Sequence, residues 1–185
     1  MDFLFYATYS SPFDTFTIIW KETDSNLQIQ RIFLSDPEIN SEIKARESFK
    51  QIKKGLNSSI KLLGEQIQYF LRGERVELKL DFLDFSKCFD IQKEVLLAEY
   101  KIPRGWISTY KRIADHIGLS KGARVVGNAL ARNPFPIVIP CHRAIKTNGE
   151  LGGYQGGIKM KQRLLEIEGV KISEKGRVIT DRIYY

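Results

Sequence analysis

Three stretches near the start of the chain, residues 3–9, 15–20 and 27–34, are rich in aromatic and β-branched side chains and short enough for strands. Turn-prone Ser10-Ser11-Pro12 and Asp24-Ser25-Asn26 separate them. The pattern predicts an antiparallel meander. After a polar stretch the period lengthens: Ile60, Leu63, Ile67 and Phe70 recur at helical spacing, behind Ser58 or Ser59 as the cap and ahead of Gly73 as the stop. Residues 76–80 then alternate apolar with charged positions, as a further strand would. The first half therefore reads as a small α+β domain.

The second half follows the helical period almost throughout. Residues 89–102 place Ile91, Val95 and Ala98 on one face and stop before Pro103 and Gly105. Thr109 can cap a short helix with Tyr110, Ile113, Ala114 and Ile117 on one side, and Gly118-Leu119-Ser120 breaks it before a second helix over 122–132. Two short helices across a glycine-containing turn make a helix-turn-helix candidate. In the second of them Ala123, Val126, Gly127 and Leu130 face one way, while Arg124, Asn128 and Arg132 follow at intervals of four on another. The same spacing fits an ordinary helical pair with a solvated basic stripe. A last helix over 158–168 closes at Gly169 and ends on Glu168. A carboxylate opposes the helix dipole there, which points to a cationic or proton-sharing partner; a solvent-exposed Glu is the competing account.

Charge sharpens this division. Residues 1–88 hold 12 Lys+Arg against 13 Asp+Glu, and residues 89–185 hold 17 against 9, so the overall +7 belongs to the second half. A one-sided basic excess is the electrostatic footprint of a nucleic-acid face. The 185 residues suffice for one large or two small domains. No apolar run is long enough to span a bilayer, and Asp2 stands where a secretory leader would be basic, so an intracellular, cytoplasmic protein without a membrane partner is expected. Two cysteines and two histidines make neither a disulfide framework nor a zinc-ligand spacing.

Residues 133–143, NPFPIVIPCHR, place three of the six prolines within seven residues around Ile137, Val138 and Ile139, a stiff backbone ending in a thiol. Cys141 directly before His142 fits a nucleophile, because attack needs thiolate and an imidazole can take the proton. Taken as a bare pair, Cys141-His142 is better read as a small buried residue beside a solvated histidine. Cys88 reads as a buried or incidental thiol. Residues 149–157 hold five glycines around Tyr154, which suits either a pocket wall for a flat ring or a surface loop with a packing tyrosine.

Taken together, TYKRIA at 109–114, ARVVGNALARNP at 123–134, IPCHR at 139–143, LGGYQGG at 151–157 and LLEIEG at 164–169 resemble the O6-alkylguanine-DNA alkyltransferase family. The resemblance covers about residues 89–170. It implies a variable, ribonuclease-H-like amino-terminal domain over 1–88 without nuclease carboxylates, a winged-helix-like domain with a helix-turn-helix over 89–170, and a tail over 171–185 of unassigned role. It makes Cys141 the alkyl acceptor, deprotonated through His142, with Glu168 orienting the imidazole. Asn133 matches the residue that brace the turn at the cysteine, and Tyr110 the one that rotates the target phosphate and can protonate the leaving guanine. Arg124 fills the gap left in the base stack, and Ala123, Gly127, Asn128 and Arg132 complete the minor-groove face with Tyr110. Tyr154, Gln155, Pro136, Leu130 and Lys161 are the expected pocket residues. The implied partner is double-stranded DNA carrying O6-alkylguanine, with O4-alkylthymine a further candidate, and the protein is expected to act once per molecule, as a monomer, without cofactor or metal. Val125 and Gln155 are bulkier than the family's usual residues. Two other readings compete: a non-catalytic lesion sensor or regulator, which in the sensor's case lacks the acceptor cysteine present here, and a cysteine hydrolase, for which no oxyanion motif is evident.

Overall fold

The computed structural model describes residues 3–23 and 26–185; Asp24 and Ser25 of the expected second turn, and Met1 and Asp2 at the start, lie outside the described residues. The protein is of mixed α+β class and divides into two compact units, Met1–Phe85 with Pro134–Val138, and Ser86–Asn133 with Ile139–Tyr185.

In the first unit β1 (Leu4–Ser11), β2 (Asp14–Thr23) and β3 (Asn26–Leu34) form the expected antiparallel meander. Phe16, Ile18, Ile19, Trp20, Ile29, Ile32 and Leu34 are almost wholly buried and make its core. The polar stretch holds two elements that apolar periodicity does not reveal. Helix α1 (Ser41–Ser48) buries only Ser41 and Ala45, and it is specified by Asn40, whose side chain accepts from the Glu42 N–H. Strand β4 (Ile52–Lys54) has a single apolar residue and exists through parallel pairing with β1, giving the order β3-β2-β1-β4.

Helix α2 (Ser58–Leu71) buries Ile60, Leu63, Ile67 and Phe70, but its cap is Asn57 rather than either serine. The Asn57 side chain accepts from the Ser59 and Ile60 N–H groups, and a residue ahead of the first turn is better placed to do so than one within it. Residues 76–80 are not a strand. Leu78 among them is buried, but β3 pairs with other residues: the Ile29 N–H donates to the Phe82 carbonyl while its carbonyl accepts from the Asp84 N–H, and the Ile32 N–H donates to the Pro134 carbonyl. Alternation specifies two faces without supplying a partner for the backbone.

The second unit contains α3 (Asp90–Tyr100), α4 (Tyr110–His116), α5 (Ala123–Ala131) and α6 (Ile158–Ile167). Thr109 caps α4 as expected, its hydroxyl accepting from the Arg112 N–H at 3.1 Å. On α5 the buried residues are Val126, Ala129 and Leu130, whereas Ala123 and Gly127 are only half-buried, so the packing face is turned toward Ala129 relative to the expected one. A parallel pair of two-residue strands, β5 (Ser108–Thr109) and β6 (Ala144–Ile145), ties the entry of α4 to the segment after the cysteine.

The tail is ordered within this unit. It forms the hairpin β7 (Lys171–Ile172) and β8 (Val178–Ile179), then runs beside Ile107, whose N–H donates to the Arg182 carbonyl while its carbonyl accepts from the Tyr184 N–H. Tyr185 stacks on His116 and donates its hydroxyl to the Ala98 carbonyl. Among the described residues no helix is long and apolar enough to cross a membrane.

Candidate active site

The proline-rich segment delivers the thiol. After Pro140 the chain tightens into a 3-10 turn, Cys141–Arg143, closed by the Arg143 N–H donating to the Pro140 carbonyl at 2.8 Å. Asn133 holds the approach to this turn, donating its amide to the Ile139 carbonyl at 3.1 Å and hydrogen-bonding the Cys141 side chain. Cys141, His142 and Arg143 are all buried. Burial pushes the Cys141 thiol up to about 11, against the lowering contact with Asn133, so the resting side chain is a thiol and not a thiolate.

Glu168 is brought to this turn by the way α6 ends. Gly169, at φ 86°, donates to the Glu166 carbonyl and Val170 donates to Leu165, a left-handed closure that only glycine adopts without strain. This leaves Glu168 as the cap residue just after Ile167, its side chain directed inward. His142 Nε2 lies 2.9 Å from Glu168 Oε1; Arg143 donates to the same carboxylate from Nε at 2.9 Å and Nη2 at 2.7 Å; the Gly105 N–H donates to Oε2 at 3.1 Å. The cationic partner anticipated at this helix end is Arg143, and the imidazole is the proton-sharing one. Burial alone would raise the Glu168 carboxyl, but His142 and Arg143 hold it well below the usual carboxylate range. Burial likewise lowers His142 despite the carboxylate beside it, so the imidazole is neutral near pH 7 and able to take a proton.

A cavity of about 320 Å³ opens above Cys141, with Tyr110, Gly127, Leu130, Tyr154 and Gln155 in its walls. The Tyr154 ring stands edge-on to His142, with centroids 6.3 Å apart. Gly152 is at φ 73°, and a Cβ there would lie 2.5 Å from the Tyr110 hydroxyl, so this wall can come so close to the tyrosine only as glycine. Lys161 is fully buried behind the wall, its Nζ donating to the Ala144 carbonyl at 2.6 Å and to the Tyr110 hydroxyl at 3.4 Å. Of the expected pocket residues, Tyr154, Gln155 and Leu130 line the cavity, Lys161 supports it from behind, and Pro136 is buried within the Pro134–Val138 segment of the first unit.

Beside the cavity lies a second, open cleft lined by Tyr110, Lys111, Ala123, Arg124, Lys146 and Asn148. Arg124, Asn128 and Arg132 are exposed along α5, and nothing lies within 4 Å of a Cβ built on Gly127. One slim, cationic helix face thus adjoins the mouth of the thiol pocket. Three contributors escaped the sequence reading. Arg143 stands inside the IPCHR run; Lys146 borders both openings; Glu99 is a fully buried carboxylate on α3. For Arg143 the signal was available, since an inward carboxylate at a helix end calls for a cation.

Residues 90–170 match the family model described as 6-O-methylguanine DNA methyltransferase, DNA binding domain. The chain is 48% identical over 126 residues to a methylated-DNA–protein-cysteine methyltransferase of Methanothermobacter thermautotrophicus, covering 65% of this chain and 70% of that one. The solved structure of Mycobacterium tuberculosis OGT in complex with DNA superposes with a TM-score of 0.71 at 30% identity, covering 89% of this chain and 92% of the other. The O6-methylguanine-DNA methyltransferase of Pyrococcus kodakaraensis superposes with a TM-score of 0.56 at 25% identity, covering 90% and 99%.

Proposed function

The chain belongs to the methylated-DNA–protein-cysteine methyltransferase family, and on that premise we propose that it repairs O6-alkylguanine in double-stranded DNA by moving the alkyl group onto Cys141. The observation that carries this reading is a buried thiol at the floor of a cavity, on a turn whose next residue is a neutral imidazole held by a buried carboxylate.

With Nε2 of His142 engaged by Glu168, Nδ1 is the ring atom through which the thiol proton leaves, by way of a water. The sulfur attacks the alkyl carbon, the bond from that carbon to O6 breaks, and its electron pair stays on the guanine. Tyr110 protonates the departing base, and the proton taken from the thiol rests on His142. A thiol held near 11 in the resting state is protected from stray alkylating agents and becomes nucleophilic only when its proton has somewhere to go. The product is a thioether, which offers water no leaving group and ends the reaction after one turnover.

The target base must leave the duplex to reach a buried sulfur. Arg124 on the open face of α5 is the residue placed to take its position in the stack, with Tyr110 at the phosphate and Ala123, Gly127, Asn128 and Arg132 along the groove. Tyr154 and Gln155 bound the flipped base. At the level of fold, the β3-β2-β1-β4 order supports a ribonuclease-H-like amino-terminal domain over 1–88, and the α4–α5 pair supports a winged-helix-like alkyltransferase domain over 89–170. The protein acts as a monomer.

The test is incubation with a duplex containing O6-methylguanine, followed by intact and peptide mass measurement. About one methyl group per protein molecule, carried by the Cys141 peptide, is the expected result. Continued turnover, or methyl on Cys88, would overturn the reading. A second prediction separates flipping from holding. Arg124→Ala slows repair of the duplex by roughly one to three powers of ten, because compensation for unstacking is lost, while reaction with free O6-benzylguanine stays near normal. Equal losses on both substrates would place Arg124 in support of the pocket instead.

A further inference from the structure

A base that leaves the duplex stays joined to its sugar and phosphate, so a nucleotide seated over Cys141 remains tied to a strand lying along α5. The thiol cavity and the open cleft beside it meet at two residues that line both, Tyr110 and Lys146. The strand must cross between base pocket and cleft at this threshold. Among the described residues, Lys146 is the one charged side chain in the cavity's walls, while Lys111 and Arg124 line the cleft alone. Tyr110 already has a task at the threshold, and Lys146 has none in alkyl transfer as described.

The turn after β6 is built to hold this lysine in place. The Lys146 N–H donates to the Glu150 carbonyl at 2.9 Å, and its carbonyl accepts from the Gly149 N–H at 3.0 Å. The Asn148 side chain accepts from the Glu150 N–H at 3.1 Å. The tail fastens the turn from behind: the Val178 N–H donates to the Gly149 carbonyl at 2.9 Å, and Arg177 bridges Glu150 through the backbone. Lys146 Nζ in turn donates to Glu150 Oε2 at 2.8 Å, both side chains being open to solvent. An exposed pair of this kind is weak, and an ammonium has three donors, so Glu150 aims Lys146 without exhausting it.

We propose that Lys146 binds the phosphodiester of the extruded nucleotide and, with Tyr110, holds the strand at the threshold while the base occupies the cavity. The proposal rests on the alkyl-transfer reading above and deepens it. A phosphate at this point carries a full negative charge past a wall that is otherwise uncharged, and Lys146 is the group placed to meet it. A compact ammonium on a flexible stem suits the task, since it can follow a phosphate that turns as its base rotates out. The contact strengthens on extrusion, so it favours the flipped state over the stacked one and acts on the rate of repair as well as on binding.

The experiment compares the unsubstituted protein with Lys146→Gln, which keeps most of the side chain's length and removes its charge. Affinity for an O6-methylguanine duplex is measured between about 50 and 300 mM salt with both proteins carrying Cys141→Ala, so that repair does not consume the lesion. The slope of log affinity against log salt should become shallower by about 0.9, the signature of one lost phosphate contact. With Cys141 in place and protein in saturating excess, the limiting rate of methyl transfer from the duplex should fall about ten-fold. The loss on free O6-benzylguanine, which brings no phosphate, should be smaller by at least about five-fold. Lys146→Arg should recover most of the duplex rate. Lys101→Gln removes the same charge from the end of α3, outside both openings, and should leave slope and rate as they are. An unchanged slope, a limiting rate that does not fall, an equal loss on free base, or the same effect from Lys101→Gln would each overturn the assignment. Failure of alkyl transfer itself would show in the unsubstituted protein, where the salt slope still judges the phosphate contact on its own.

Discussion

Cys141→Ala abolishes alkyl transfer, on duplex and on free O6-benzylguanine alike, while binding to DNA is unchanged. The reason is chemical. The sulfur is the atom that forms the new bond, and no other group in the cavity can replace it: Tyr110 and Tyr154 are held above their ordinary values by burial, so neither offers an anion. The loss should reach the uncatalysed background, about four powers of ten or more, as for other enzymes stripped of their nucleophile. DNA binding survives because the cationic face of α5 lies outside the cavity floor. Transfer rates on both substrates, measured beside duplex affinity, decide the matter. Residual methyl transfer to Cys88 in the variant would show that the protein has a second acceptor.

Glu168→Gln is expected to cost about 3–5 kcal/mol of stability at pH 7, the range seen when one member of a buried ion pair is removed. The substitution keeps the size of the side chain but leaves Arg143, itself buried, without its counter-charge, and loosens His142 from its orientation. For a chain of this length that corresponds to a fall in Tm of about 6–20 °C. The pH dependence has a definite sign. Glu168 has a folded pKa depressed below its ordinary 4.5, so its stabilisation is fully present above that pH and is lost as the pH falls through the folded value. His142 works in the same direction: its folded pKa is lowered from 6.5, so acid below that point favours the unfolded chain. Denaturant titrations at pH 7 and below pH 4 should therefore show the two proteins converging in acid. A constant difference at every pH would mean that packing, rather than charge, is what Glu168 supplies. Repair by the variant should also slow, because the imidazole that receives the thiol proton is no longer held in place.

Local pattern alone determined much of this protein. The three strands of the meander, α2, α3, the α4–α5 pair and α6 were legible because each carries its own apolar period and punctuation, such as Thr109 at the start of α4 and Gly169 after α6. The thiol, its histidine, the arginine face of α5 and the glycine wall were legible because they occur in short runs whose order and spacing resemble one family. The inward-facing carboxylate was foreshadowed as well, since Glu168 stands where a helix end disfavours it.

Tertiary structure decided what no local signal carries. Strand β4 is a strand because β1 offers it an edge, and residues 76–80 are not one because their alternation meets no such edge. α1 stands on a cap and a buried serine, so it leaves no apolar stripe to read. Arg143, Lys161 and Glu99 lie far apart in the chain, and no local pattern marks them as buried, although the family resemblance places Lys161 at the pocket. Only when α3, α6 and the Cys141 turn close on one another do these charges leave water, and desolvation then raises Glu99 and lowers Lys161.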